Sequence, residues 1–220
     1  EVTLKLYGVP EAISAAVCAF PDVDAAVQAV IQTIQSGIPV ARIELLDELQ
    51  MQGCINYSKL QGYRVAPTLF YEFHGTEAGV REQAELAQAI AAEHGGQDFQ
   101  WTSRAEDRNK LWQARHDSYY AALSLRPGCV GWATDVCVPI SRLGDCIHET
   151  RADLAEAGML APIVGHVGDG NFHLLMLLDP AKPEEHATAQ RLNKRLVRRA
   201  IAMEGTCTGE HGIGLHKQGF

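Results

Sequence analysis

The chain has 220 residues, of which 46% are hydrophobic and 21% are charged, and this composition excludes a disordered or collagen-like protein. No stretch approaches the roughly 20 consecutive apolar residues that a membrane-spanning helix needs. The net charge of -8 argues against nucleic acid as a partner, because a surface that binds phosphates must be basic.

The first half of the sequence predicts alternating strands and helices. Residues 3–7 alternate like a strand, and apolar residues at helical spacing predict a helix over 23–34, between an Asp22 N-cap and Gly37. The elements predicted next are strands over 39–46, 68–74 and 99–102 and a helix over 77–94. Residues 49–66 lack periodicity and are expected to form a long connection.

The second half continues in the same way. The predicted elements are helices over 104–125, 141–157 and 183–204, a β-rich segment over 130–140, and strands over 163–167 and 172–178. This order predicts an α+β fold, a ferredoxin-like sandwich with a large, partly antiparallel sheet covered by helices on one face. A doubly wound Rossmann fold is the alternative, ranked second because no GxGxxG motif follows the first strand.

The six cysteines show no CxxC pair and no close spacing. We therefore expect neither a zinc ribbon nor a disulfide framework, and a reducing compartment is the simpler interpretation. The sequence opens at Glu1 without a signal-peptide pattern and stops at Phe220, shortly after a glycine-rich motif. We expect a piece of a longer protein.

The segment GHVGDGNFH, residues 165–173, carries the first chemical signal. Asp169 and Gly170 between two apolar stretches form the pattern most typical of a type I′ hairpin turn. With that turn, His166 lies directly opposite His173, with Cβ atoms ~5 Å apart on one side of the sheet. Two imidazoles then lie within reach of one metal ion.

A second glycine-rich segment, GTCTGEHGIG at residues 205–214, contains adjacent Glu210 and His211. Its four glycines have no evident core-packing purpose and would let the backbone approach a ligand closely. The histidine pair alone is more simply explained as two structural histidines bonded to backbone. With Glu210 as a third ligand, a catalytic metal site becomes the favoured interpretation. His211 is either a general base or a partner that orients Glu210.

Two basic features complete the candidates. Leu111, Arg115 and Tyr119 share one face of a predicted helix, where Arg115 could clamp a carboxylate, although a surface arginine is the simpler interpretation of that residue alone. A basic run on the last helix indicates a solvated face, or alternatively a docking patch for an acidic partner. This run consists of Arg191, Lys194, Arg195, Arg198 and Arg199.

The two glycine-rich motifs, in this order and about thirty residues apart, resemble the C-terminal domain of FAD-linked 2-hydroxy-acid oxidases. Those flavoproteins carry their flavin on a separate N-terminal domain of the vanillyl-alcohol-oxidase type. The runs LWQARHDSYYAALSLRPG and TDVCVPISRL resemble the cytochrome-linked D-lactate dehydrogenase branch. The resemblance is strong from about Asn109 to Lys217. It implies that residues 1–220 are such a domain, without the FAD-binding domain and the extreme C-terminus.

The resemblance also implies roles for individual residues. His166, His173 and Glu210 match ligands of a divalent metal, zinc or manganese, His211 matches the catalytic base, and Arg115 matches the contact to the substrate carboxylate. We expect Tyr119 to line the same cavity. FAD would accept the hydride from the substrate.

The expected substrate is a small 2-hydroxy acid. Leu175 and Ala133 stand where hydroxyglutarate-oxidising relatives carry polar or basic groups, which favours D-lactate over a dicarboxylate. Glycolate and D-2-hydroxyglutarate remain alternatives. The expected electron acceptor is a cytochrome or an electron-transfer flavoprotein.

Further expectations concern assembly and location. A homodimer would form through the apolar surface that the missing domain leaves open. The location would be cytoplasmic in bacteria or mitochondrial in eukaryotes. Two other functions compete with the oxidoreductase: a stand-alone metallohydrolase with Glu210 or His211 as base, and a noncatalytic ferredoxin-like binding module with structural histidines.

Overall fold

The computed structural model describes residues 1–6, 8–215 and 217–220, and only the backbone of Ala114. The strands in this part of the chain are β1 (Ala12–Ala19), β2 (Val40–Leu46), β3 (Thr68–Gly75), β4 (Gln97–Thr102), β5 (Val130–Ala133), β6 (Val136–Cys137), β7 (Ile163–Gly165) and β8 (Asn171–Leu178). The helices are α1 (Val23–Gln35), α2 (Glu48–Ser58), α3 (Glu77–Glu93), α4 (Ala105–His116), α5 (Ser118–Ser124), α6 (Leu143–Ala157) and α7 (Pro183–Ala202).

The strands form one sheet in the order β4-β1-β3-β2-β7-β8-β5, and β6 pairs with β8. All of the strand pairs described are antiparallel. The first four strands, with α1 and α3 as crossovers on one face, have the order 4-1-3-2 of a ferredoxin-like unit. The predicted α+β fold with a large antiparallel sheet is therefore confirmed.

Helices cover both faces of the sheet rather than one. Helices α1, α3, α6 and α7 pack in the larger core, whereas α2, α4 and α5 pack on the opposite face. Strand β8 shows the cause, because all eight of its residues are buried. A strand that is buried along its whole length is typical of a sheet that is covered on both sides.

The N-terminal strand lies later than predicted. Residues 3–6 form no strand, and Tyr7 lies outside the described residues. Strand β1 begins at Ala12 instead, and pairs with β3 and β4. Its alanine-rich sequence carries little β propensity and no alternation, because the central part of the strand is buried on both faces.

Two helical predictions also need correction. The expected connection over 49–66 contains α2, whose N-cap Asp47 accepts a hydrogen bond from the Gln50 amide at 2.7 Å. The single helix expected over 104–125 is divided at Asp117 into α4 and α5. Arg115 and Tyr119 therefore lie on different helices.

The hairpin between β7 and β8 is longer than the sequence suggested. Val164 pairs with His173, and the connection is a 3-10 turn, Val167–Asp169, followed by Gly170. Only Gly170 has positive φ in this turn, so the type I′ turn and the direct opposition of His166 and His173 are wrong. The register differs by two residues, and a shift of two keeps each side chain on its face. The two rings therefore still meet, with centroids 5.7 Å apart.

Two arginines of the basic run on α7 bind a neighbouring helix and are not simply solvated. Arg195 and Arg199 form salt bridges to Asp153 of α6. Arg199 and Asp153 are largely buried, so this pair ties α6 to α7.

All six cysteines are free thiols. Among the described residues, none of the helices is both long and apolar enough to cross a membrane.

The Gly170 turn yields a stability prediction. Gly170 has φ +76°, and an added Cβ would lie 2.0 Å from the Val138 carbonyl oxygen. Gly158 also has positive φ, but no atom lies within 4 Å of an added Cβ there. We expect Gly158→Ala to lower the free energy of unfolding by about 1 to 2 kcal/mol and Gly170→Ala by about 3 kcal/mol or more, because steric overlap adds to backbone strain. Urea denaturation of both variants measures the difference. Equal losses would contradict the close approach of Val138.

Candidate metal and substrate site

The site lies where four neighbouring strand segments present polar side chains on the face covered by α2, α4 and α5. The β2–β7 register pairs Leu45 with Gly165, and one residue further it places Glu44 opposite His166. Strands β5 and β6 pair with β8 in one common register, which places Asp135 opposite His173. Sheet geometry therefore gathers residues that are far apart in sequence.

His173 is the most buried of the candidate ligands, with 7% of its surface exposed. Its Nδ1 donates a hydrogen bond to the Thr134 carbonyl oxygen at 3.0 Å, since a carbonyl can only accept. Burial lowers the pKa of His173, which favours the neutral ring. The proton on Nδ1 leaves a lone pair on Nε2, a buried atom to which no group among the described residues donates a hydrogen bond. A ring prepared in this way suits a metal ligand.

His166 is held by Glu44. Its Nδ1 lies 2.7 Å from Glu44 Oε1, while the other Glu44 oxygen accepts from Arg115 Nε at 3.0 Å. Burial alone would raise the pKa of Glu44, but the hydrogen bond from His166 and the charge of Arg115 outweigh it and hold that pKa below its usual range. The hydrogen bond to Glu44 in turn raises the pKa of His166.

Glu210 brings the cluster together. Its Oε1 lies 3.3 Å from His166 Nε2, 3.2 Å from His173 Nε2 and 3.6 Å from His211 Nε2. One ligand atom from each of Glu210, His166 and His173 lies within 4.8 Å of the others. The His211 ring stacks on His173, with centroids 5.0 Å apart and an angle of 12°. The three predicted ligands and the predicted base thus lie side by side.

Asp135, His173 and His211 form a second possible ligand group. Asp135 Oδ2, however, already accepts hydrogen bonds from four groups of the C-terminal loop. These donors are Thr208 Oγ1 at 2.6 Å and the amides of Gly209 at 2.9 Å, Glu210 at 3.1 Å and His211 at 2.9 Å. Burial would raise the pKa of Asp135, yet these hydrogen bonds hold it well below its usual range. Asp135 therefore fits an anchor for the loop better than a metal ligand.

Two of the four glycines of the second motif pack against protein, contrary to the expectation from sequence. An added Cβ on Gly209 would lie 1.9 Å from Asn171 Nδ2, and one on Gly205 would lie 2.3 Å from the Cys137 carbonyl oxygen. These two glycines let the loop lie directly against β6 and β8. Gly212 and Gly214, by contrast, face open space.

The two predicted substrate contacts differ in position. Arg115 reaches the cluster through Glu44 and is mostly buried. Tyr119 is exposed, stands edge-on to Tyr120, and lies against Gly131 of β5. Further along the same strand, Ala133 pairs with Leu175.

An open cleft of about 750 Å³ borders His211. Its walls include Trp132, Thr134, His186, Lys194 and Phe220. The side chains of Glu210 and His211 are 49% and 46% exposed. These two residues therefore lie at the open edge of the site, whereas His173 lies inside.

Sequence reasoning missed Glu44 and Asp135, the two carboxylates that hold the site together. Neither belongs to a recognisable ligand motif, and Glu44 is 122 residues from His166. A signal for Glu44 was available, because a single acid within the apolar run RIELL is seldom buried without a partner.

Similarities to known proteins extend over almost the whole chain. Residues 9–220 match the family described as FAD linked oxidases, C-terminal domain. A probable mitochondrial D-lactate dehydrogenase of Danio rerio is 52% identical over 218 residues, which cover 99% of this chain and 44% of the relative. A mitochondrial D-lactate dehydrogenase [cytochrome] of Arabidopsis thaliana is 42% identical over 220 residues, covering 100% of this chain and 39% of the relative. The chain thus spans less than half the length of these curated relatives.

More distant similarities agree with this placement. The glycolate oxidase subunit GlcD of Escherichia coli is 28% identical over 219 residues, covering 99% of this chain and 43% of that protein. The solved structure of a 4-ethylphenol oxidase from Gulosibacter chungangensis shares the fold, with a TM-score of 0.69 and 16% identity over 92% of this chain and 46% of that chain. The chain belongs to the family of FAD-linked oxidase C-terminal domains.

Proposed function

We propose that this chain is the substrate- and metal-binding domain of an FAD-dependent D-2-hydroxy-acid dehydrogenase that converts D-lactate to pyruvate. The proposal rests on the convergence of His166, His173 and Glu210 within 4.8 Å beside His211. The names of the relatives from Danio rerio and Arabidopsis thaliana support D-lactate as substrate. Because the chain spans less than half of these relatives, we assign most of the FAD binding to the rest of the polypeptide.

The donor set fits a divalent metal. Nδ1 of His173 is bonded to a carbonyl oxygen and Nδ1 of His166 to a carboxylate, so both rings can present Nε2. Two imidazoles and one carboxylate leave coordination positions open and suit zinc or manganese. When bound, the metal supplies a Lewis acid for the hydroxyl and carboxylate oxygens of the substrate, and FAD supplies the hydride acceptor.

The side chains of this domain bind the substrate and move its proton. Arg115 binds the substrate carboxylate while Glu44 fixes its guanidinium. His211 accepts the hydroxyl proton at Nε2, as the α-hydrogen leaves with its electron pair and the carbonyl forms. His173 supports the His211 ring by stacking, and the neighbouring cleft gives the accepted proton a path to solvent.

The walls near the site favour a small substrate. Leu175 is buried and pairs with Ala133, so neither position provides a cation for a second carboxylate. We therefore place D-lactate ahead of D-2-hydroxyglutarate, and glycolate remains an alternative substrate.

The electron acceptor and the cellular location are inferred from the names of the relatives. Both names support a mitochondrial location, and the name of the Arabidopsis thaliana relative supports a cytochrome as electron acceptor. An electron-transfer flavoprotein is the alternative acceptor, and the cytoplasm is the alternative location if the protein is bacterial. A homodimer remains part of the proposal.

The metal assignment is tested with His173→Ala in the full-length protein. We expect wild-type protein to contain about one equivalent of zinc or manganese, and the variant to lose it together with at least ~100-fold in kcat for D-lactate. Elemental analysis and a dye-coupled assay measure both. His148→Ala is the control, because His148 is exposed on α6 and should change neither. Metal retained by His173→Ala would contradict the site, and flavin-independent ester hydrolysis would favour the hydrolase.

The role of His211 is tested with His211→Asn. We expect kcat to fall by ~10² to 10⁴-fold with the metal content unchanged, because the proton acceptor is lost while the ligands remain. Loss of the metal would show instead that His211 orients Glu210. An unchanged kcat would contradict the proposed base.

The role of Arg115 is tested with Arg115→Lys. Lysine lacks the planar fork, so we expect KM for D-lactate to rise by ~10 to 100-fold, equivalent to roughly 1 to 3 kcal/mol. Arg104→Lys at the exposed start of α4 is the control and should leave KM unchanged. An unchanged KM in Arg115→Lys would remove Arg115 from the substrate site.

A further inference from the structure

Glu44 is bonded at both of its carboxylate oxygens to residues of the site. Oε1 lies 2.7 Å from His166 Nδ1, and Oε2 accepts from Arg115 Nε at 3.0 Å. Only 4% of the Glu44 side chain is exposed, so water does not compete for these bonds. One buried group thus joins a proposed metal ligand to the proposed substrate clamp.

We infer that Glu44 is a positioning residue that selects the metal-binding tautomer of His166 and fixes the guanidinium plane of Arg115. This inference rests on the proposed function, because it assigns Glu44 a task in the metal and substrate site described there.

The chemistry of the two partners determines the tautomer. An ionised carboxylate only accepts hydrogen bonds, so Nδ1 of His166 must carry the proton that it shares with Glu44. Nε2 lies 3.3 Å from Glu210 Oε1, and a metal held by both atoms would take the Nε2 lone pair of the neutral ring in place of a proton shared with Glu210. With the opposite tautomer, Nε2 would carry a proton and could not bind a metal.

The same carboxylate orients Arg115. A guanidinium is planar and rigid, so a hydrogen bond from Nε sets the direction of the whole fork. Because Glu44 bonds both His166 and Arg115, it also sets the distance between the guanidinium that binds the substrate carboxylate and the proposed metal ligands. Metal binding and substrate binding therefore depend on one side chain.

The neighbouring strand β3 offers a matched comparison. Glu72 also joins an arginine to a histidine, accepting from Arg42 Nη2 at 2.8 Å and lying 2.8 Å from His74 Nε2. His74 is exposed and belongs to neither candidate ligand group. Glu72→Gln therefore removes a similar carboxylate without touching the site.

The test uses Glu44→Gln in the full-length protein. Arg115 can only donate, so it holds the amide oxygen of the glutamine on its own side. The amide NH₂ then faces His166 Nδ1 and forces the proton of that ring onto Nε2. We expect zinc affinity, measured by competition with a chelating dye, to fall ~10 to 100-fold, and KM for D-lactate to rise. Glu72→Gln should stay within about twofold of wild type.

A second variant separates this role from a general structural one. In Glu44→Gln/Arg115→Met, the amide is free to turn and its oxygen accepts from His166 Nδ1. We expect zinc affinity to recover toward wild type, although KM stays high because the clamp is gone. If the double variant binds zinc no more tightly than Glu44→Gln alone, the inference is overturned.

The outcomes also distinguish the inference from the proposed function. If wild-type protein binds no zinc, or His173→Ala binds it equally well, the metal site itself is wrong. If those controls behave as expected and a folded Glu44→Gln binds zinc as tightly as wild type, only the assignment of Glu44 is overturned. Thermal melting of each variant establishes that it is folded.

Discussion

The geometry of the site depends on a buried carboxylate, Asp135, that accepts hydrogen bonds from the backbone amides of three consecutive loop residues. Those residues are Gly209, Glu210 and His211, and Thr208 adds its hydroxyl. Without this anchor, the half-exposed side chains of Glu210 and His211 would project from a glycine-rich loop with no defined position. Because Asp135 stands opposite His173 in the sheet, the loop is fixed relative to His173 as well.

Burying an ionised carboxylate is unfavourable unless hydrogen bonds and charges compensate. Asp135 is compensated by the Thr208 hydroxyl, by loop amides and by the Asn171 side chain. Glu44 is compensated by His166 and Arg115, and the pKa of each carboxyl lies below its usual range. One carboxylate therefore holds the loop side of the site and the other holds the sheet side. Both restrict the rotamers of groups that must meet a ligand, which is the kind of preorganisation that binding sites need.

The sequence predicted which residues lie together better than it predicted the geometry that joins them. His166, His173, Glu210 and His211 lie together although the proposed turn was wrong, because a register change of two residues returns each side chain to its original face. A register change of one residue would have placed the two imidazole rings on opposite faces of the sheet. The run RIELL could have indicated that Glu44 is buried and paired, but not its partner, because only the pairing of β2 with β7 brings it to His166 and no local pattern encodes that pairing.

The site combines a rigid half with an open half. His166 and His173 belong to the hairpin of β7 and β8 and are held by bonds to Glu44 and to the Thr134 carbonyl. Glu210 and His211, on the loop, are half exposed. In the proposed enzyme the reacting carbon must come within ~3 to 3.5 Å of the flavin, so the flavin has to approach from the side that this domain leaves open. Under that proposal the open side is the edge formed by Glu210 and His211, where the substrate proton would be accepted, while the sheet holds His166 and His173 from behind.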